Sequence, residues 1–257
     1  MDDTTLLARM AASMRLVGRL MADNCESTRL LELEDGAVQA IITPATPGRS
    51  IHNSVDYHRT DALEAALPQL SEEYERAGIA AWTVWAPAAD DDAIELLESR
   101  GHVLDAAPRA MGAPIADCDL GEGAAAIDWT HDADAPLIGV LNARAYGYPE
   151  ASFAAAFGSF DERMHIYVAR LDGEPVSCVL CSDCEGDCGI WWVATLPEAR
   201  GHGLSGKLLR QALIDARERG CDSTTLQGTS AGYPIYAKVG YRDLGELQMW
   251  ERRRERP

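Results

Sequence analysis

The sequence predicts an α/β fold arranged as two related domains, on three observations. Segments with apolar residues at helical spacing alternate along the chain with short β-branched and aromatic runs. A helix–strand–helix–strand unit occurs once in each half. The composition, 47% hydrophobic and 25% charged over 257 residues, is that of an ordinary globular chain. At roughly 150 residues per domain, that length suits one large domain or two small ones.

The first element is a helix, with Leu6, Leu7, Met10, Met14, Val17, Leu20 and Met21 at helical spacing. Two strands follow at 29–33 and 37–42, turned by Glu34, Asp35 and Gly36. Pro44, Pro47 and Gly48 mark a loop. A second helix starts near Thr60 or Asp61, runs to Gly78, and carries Leu63, Leu67, Leu70 and Tyr74 on one face. A strand AAWTVWAP, a short helix over 92–100 and a last strand near 103–111 complete the half.

Part of this order returns in the second half. ALEAALPQLSEEYERAGIAAWTVWA and KLLRQALIDARERGCDSTTLQG are each a helix that closes on Glu-Arg and Gly before a strand. AIELLESRGHVLD and YPIYAKVGYRDLG are each a short helix broken by Gly before the next strand. In this register Gly240-Tyr241 falls on Gly101-His102, and Tyr236 on Leu97. Two repeats are too few for a solenoid. They indicate two related domains, 1–120 and 121–257, joined by the loose segment DCDLGEGAA.

The charge bounds the partners. With 23 Lys and Arg against 41 Asp and Glu, the net charge is −18, which repels a phosphate backbone and argues against nucleic acid. It favours a small cationic acceptor such as an amine. The basic run of Arg252, Arg253, Arg254 and Arg256, interrupted by Glu255, reads as a solvated tail. No apolar stretch approaches the ~18–20 residues of a membrane span. The opening MDDTTLLARM lacks a basic segment ahead of an apolar one. A cytoplasmic protein without membrane contact is expected.

Cys178, Cys181, Cys184 and Cys188 have the C-x2-C-x2-C-x3-C spacing of an iron–sulfur site. The flanks read otherwise. PVSCVLCSD and CGIWWVAT are strand-like, and Asp183, Glu185, Gly186 and Asp187 form the turn of a hairpin. Residues three apart on a strand point to opposite faces, and Gly189 stands where a ferredoxin run has proline. Reduced, mostly buried thiols and no metal are expected, with a cysteine-ligated metal or a disulfide across the hairpin as the alternatives.

The segment GIWWVATLPEARGHGLSGKLLRQAL carries the chemistry. An apolar strand ends at Thr195, Pro197 stops it, and a Gly-rich turn leads into an amphipathic helix near Leu204. Gly201, Gly203 and Gly206 let backbone N–H groups approach a ligand, and the helix start adds unpaired donors and the positive dipole end. This is a pyrophosphate cradle.

Here the sequence resembles the GNAT superfamily of acyl-CoA-dependent N-acetyltransferases. Arg200-Gly201-His202-Gly203-Leu204-Ser205 matches [Q/R]-x-x-G-x-[G/A], with Ser205 in place of Gly or Ala. SAGYPIYAKVGYRDLG looks like the family's A-x-x-x-Y-x-K-x-G-F helix and strand, with Tyr236 on the tyrosine and Gly240-Tyr241 on Gly-Phe. The resemblance covers roughly 125–251. It implies a mixed, mostly antiparallel central sheet flanked by helices, and acetyl-CoA as co-substrate. It further implies that Val193, Ala194 and Thr195 offer backbone groups to pantetheine, with a strand N–H such as that of Val193 facing the oxyanion. The cofactor loop would be Arg200, Gly201, His202, Gly203, Leu204, Ser205 and Gly206, and Tyr236 would protonate the leaving thiolate. The expected acceptor is a primary amine of a small molecule or peptide.

No general base is assigned: Asp187 and His165 are the nearest ionisable groups, and a water relay or a neutral amine would serve equally. Of Trp191 and Trp192, which alternate on a strand, one should pack on the core and the other is free to line an acceptor pocket. The first half lacks the glycine spacing in TPATPGRSIHNSVDYH, and Leu97 replaces the tyrosine. It is expected to have lost acyl-CoA binding, and to wall the acceptor site or mediate homodimer formation. A non-catalytic acyl-CoA sensor on the same fold is the alternative to an enzyme.

Overall fold

The computed structural model describes residues 1–131, 134–148 and 162–254. Its described helices are α1 (Asp3–Asn24), α2 (Thr60–Arg76), α3 (Asp91–Ser99), α4 (Ala135–Tyr146), α5 (Leu204–Glu218) and α6 (Tyr233–Val239). The first-half strands are β1 (Arg29–Leu33), β2 (Val38–Ile42), β3 (Ser54–Tyr57), β4 (Ala81–Pro87), β5 (Val103–Ala106) and β6 (Arg109–Pro114). Those of the second half are β7 (Asp128–His131), β8 (Met164–Leu171), β9 (Glu174–Cys184), β10 (Asp187–Thr195), β11 (Ser223–Gly228) and β12 (Arg242–Arg253). All belong to one sheet, ordered β1-β2-β3-β4-β12-β6-β11-β10-β9-β8-β7, with β5 beside β12. The described pairings are antiparallel except β3 with β4 and β10 with β11. The mixed, mostly antiparallel sheet flanked by helices is therefore as expected.

The repeat extends further than its sequence signal. The series α2-β4-α3-β5 corresponds to α5-β11-α6-β12, and each begins beside a strand parallel to its second member, β3 in one half and β10 in the other. The sequence pattern does not predict β3, which has only four residues, with polar Ser54 and Asp56 on one side. Leu97 and Tyr236, matched by the repeat, are both buried under their sheets.

The two halves trade strands. The expected single strand near 103–111 is two, broken at Ala107-Pro108, where proline has no N–H to donate. Of the two, β5 pairs with β12, and β6 pairs with β11 and with the first part of β12. Reciprocally, the later part of β12 pairs with β4, from Leu247 opposite Pro87 to Arg253 opposite Ala81. The first-half core takes in Trp250 from β12, and the second-half core takes in Met111 from β6 and Leu20 from α1.

The basic tail is corrected by the same pairing. Arg252 and Arg253 lie within β12, the Arg254 N–H donates to the Ala80 carbonyl at 2.8 Å, and the Arg254 guanidinium pairs with Glu75. Glu255 and Arg256 lie outside the described residues.

Helix α1 bridges the halves. On one side it meets β10 at Gly189, where any other residue's Cβ would stand 2.2 Å from Ser13 Oγ. On the other, Gln39 Nε2 of β2 donates to the Arg15 carbonyl at 2.8 Å. None of the described helices is long and apolar enough to cross a membrane.

Candidate active site

Near its end, strand β10 loses β11 and its pairing with β9 is interrupted. Its ladder with β9 runs to Trp191 opposite Leu180 and resumes only at Ala194 opposite Cys178, so Trp192 and Val193 form a bulge. Trp192 has φ +42°, the left-handed region that a bulky residue occupies only under constraint. Two side chains of α4 brace it: Asn142 Nδ2 donates to the Trp192 carbonyl at 3.2 Å, and the Tyr146 hydroxyl to that of Val193 at 3.1 Å. Pairing with β11 stops at Ile190 opposite Leu226, so the strands part from Trp191 onward.

A cleft of about 540 Å³ opens at this parting. Val193, Ala194 and Thr195 form one wall, Arg200, Gly201, Gly203, Leu204 and Ser205 the floor, and Tyr236 of α6 the other wall. Gly201 and Gly203 have φ of +86° and +69°, a conformation that strains any residue with a Cβ. Gly203 caps α5 without a side-chain acceptor, and its carbonyl takes the Lys207 N–H at 3.1 Å. The N–H groups of the first turn are thus the unpaired donors of a helix start, where an anion is stabilised.

Arg200 does not extend into the cleft as a free cation. Its Nε donates to the Thr195 carbonyl at 3.3 Å and its Nη2 to that of Ala145 at 3.1 Å, fastening the loop to β10 and α4. His202 and Gly206 are not among the residues that line the cleft. The His202 ring is exposed with Nδ1 3.2 Å from the Ala199 carbonyl, and Gly206 is buried beside Arg210 and Ile235.

The Tyr236 side chain is buried, with its ring centroid 6.0 Å from that of Tyr241. Burial holds its phenol well above the ordinary tyrosine range, with Tyr146 a lesser cause in the same direction. Its hydroxyl makes no hydrogen bond to any described residue. Tyr241, by contrast, shares a hydrogen bond with Thr224 Oγ1 at 2.6 Å.

The cleft thus gathers main-chain donors at a helix start, a strand edge freed from β11, and a buried phenol. Residues 128–241 match the family model described as the acetyltransferase (GNAT) family. That stretch is similar to a GNAT acetyltransferase domain. Over nearly its whole length the chain also shares the fold of known GNAT structures. A GCN5-related N-acetyltransferase from Kribbella flavida superposes with a TM-score of 0.68 at 17% identity, over 95% of this chain and 94% of that one. One from Sphaerobacter thermophilus gives 0.60 at 18%, over 96% and 91%. A tandem GNAT protein from the clavulanic acid biosynthesis pathway gives 0.61 at 15%, over 100% and 97%. At these identities the likeness is one of fold. A search of curated protein sequences returned no match.

The fold separates other candidates from the cleft. Asp187 is buried on β10, where it accepts from Ser223 Oγ at 2.7 Å and Thr225 Oγ1 at 2.6 Å. His165 Nε2 lies 3.4 Å from Asp183 Oδ2. Neither lines the cleft. Cys178 donates to the bulge carbonyl of Trp192 at 3.5 Å, whereas Cys181 faces Arg219. Among the described residues, no three Cys, His, Asp or Glu side chains converge on a metal position. The bulge also breaks the expected alternation of the tryptophans, so Trp191 and Trp192 both line a second cavity. Sequence reading missed Tyr146, because only the fold brings the end of α4 to the bulge.

Proposed function

We propose that this GNAT domain transfers an acetyl group from acetyl-CoA to a primary amine of a small molecule or peptide by direct attack. The observation that carries the reading is the parting of β10 from β11, which gathers the Val193 edge, the start of α5 and Tyr236 around one cleft. The first-turn amides of α5 and the Gly201–Gly203 loop would hold the diphosphate, and the edge from Val193 to Thr195 the pantetheine amides. Acetyl-CoA supplies a thioester carbonyl that a neutral amine attacks, so that a C–N bond forms and the C–S bond breaks. The Val193 N–H, at a position where β10 has left its ladder, would stabilise the negative charge that develops on the carbonyl oxygen. Tyr236 would give its hydroxyl proton to the departing sulfur, and the proton lost by the nitrogen restores the phenol. The residues required for transfer are thus main chain plus one phenol.

The first half supports a supporting role. Its parallel strand β3 ends at Tyr57 and α2 begins at Thr60, so only His58 and Arg59 stand where the second half has residues 196–203. That link has no glycine turn to wrap a diphosphate, and Leu97 replaces the phenol.

Incubation with acetyl-CoA and a panel of amines, read as free thiol, tests the proposal. Release that requires both an amine and Tyr236 supports it; coenzyme A binding with no release on any amine would instead favour a sensor.

A further inference from the structure

A second cavity, of about 400 Å³, lies between the two halves on the side of the sheet that α1 covers. It adjoins the cleft: Thr229 lines both, and Trp192 and Val193, consecutive in the bulge, line one each. Its walls are apolar, with Met14 and Met21 from α1, Trp85 from β4, Met249 from β12, and Trp191 and Trp192 from β10. Among the described residues, one ionisable side chain lines it, that of Asp56 on β3.

Strand alternation puts Asp56 there. Val55 is buried in the first-half core and the Tyr57 hydroxyl donates to Asp90 Oδ2 at 2.7 Å on the opposite face, which leaves Ser54 and Asp56 toward the cavity. The Asp56 carboxyl has no hydrogen bond and no ion pair with any described residue. Arg15 of α1 acts on it at longer range, while its own Nη2 donates to the Gly36 carbonyl at 2.6 Å. Desolvation pushes the Asp56 carboxyl up to about 7, with Arg15 opposing. A carboxylate against an apolar wall whose nearest cation is not in contact with it is a costly arrangement that an arriving cation relieves. The tryptophan faces offer the same cation a second attraction.

We infer that this cavity is the acceptor site, that its occupant is a cationic amine on an apolar aromatic or branched aliphatic body, and that Asp56 pairs on entry with the ammonium, which gives its extra proton to that carboxylate or to solvent before the neutral nitrogen attacks. The inference rests on the acetyl-transfer reading for its role but not for its measurement. The first half thereby contributes a specificity-determining residue to a reaction centred on the second half.

Direct calorimetry on the full chain, with coenzyme A present, tests it with three probes: 2-phenylethylamine, its neutral counterpart 2-phenylethanol, and glucosamine as an amine on a polar body. The amine is expected to bind about tenfold or more tighter than either control. Asp56→Asn should erase the preference over 2-phenylethanol while coenzyme A affinity stays unchanged. On the wild-type chain, a pH series supplies the same readout without a variant. Affinity for 2-phenylethylamine should fall as pH drops below about 7, and that for 2-phenylethanol should not. Around Asp56, α1 presents Arg15, which also acts on His58, and α2 presents Tyr74, a buried phenol held well above the ordinary tyrosine range and so protonated throughout the series; β2 presents Gln39 and β4 presents Trp85, which do not titrate. Equal affinity for amine and alcohol, a preference for glucosamine, or an Asp56→Asn variant that keeps the amine preference would overturn the assignment. Loss of coenzyme A binding would strike the acetyl-transfer reading instead.

Discussion

Tyr236 keeps its proton because its side chain is buried and no neighbour stabilises the phenolate. An acid held this way donates only when a stronger base, such as a departing thiolate, forms beside it. Tyr236→Phe should therefore lower turnover about a hundredfold and leave coenzyme A affinity within twofold, as steady-state kinetics and calorimetry would show. Asp56 titrates in the opposite sense to a paired surface carboxylate. Its folded pKa, raised to about 7 from 3.8, means that the folded state resists ionisation. Its contribution to stability is complete below about pH 4 and is lost as pH rises through 7. Asp56→Asn should thus gain stability relative to wild type between pH 5 and pH 8, measured by denaturant unfolding at both values. A constant difference would contradict this. At this scale Tyr236 was legible because its motif is local. Asp56 was not: it is one carboxyl in the polar run SVDYH, and only assembly of the two halves turns it toward tryptophans.

The elements explain why the glycine loop matters more than its neighbours. The turn ahead of α5 needs two left-handed residues, Gly201 and Gly203, and no side chain caps the helix. Gly203→Val would force a β-branched residue into φ near +69° and cost about 1–3 kcal/mol in strain. Calorimetry should show coenzyme A affinity falling at least about tenfold, with thermal unfolding reporting the accompanying loss. Segments with strong periodicity, such as α1, α2 and α5, were readable in sequence, and so was the β9–β10 hairpin, whose turn has Glu185 and Gly186 at positive φ. The bulge at Trp192 was not readable, since WWVAT alternates like an ordinary strand and the break arises from α4 bonding to its carbonyls. The short strand β3 escaped for a related reason: half its side chains face a cavity rather than a core.

In the whole molecule, the exchange of strands makes the two halves one cooperative body. The sequence showed the repeat, but local signals could not show that β6 would pair with β11 and β12 with β4. A fragment of residues 121–257 would leave β11 without its neighbour β6, and β12 without any of its partners β4, β5 and β6. It should lack the cooperative unfolding transition of the full chain, as circular dichroism during heating would show; a sharp transition in the fragment would contradict this coupling. The same assembly sets the second cavity, the proposed acceptor site, between the halves and leaves the proposed cofactor cleft within one. The most direct test of the account is isothermal titration of the full chain with coenzyme A. The account predicts measurable heat at one site per chain, weakened by Gly203→Val and unchanged by Tyr236→Phe. An absence of heat, with no rise in unfolding temperature, would contradict it.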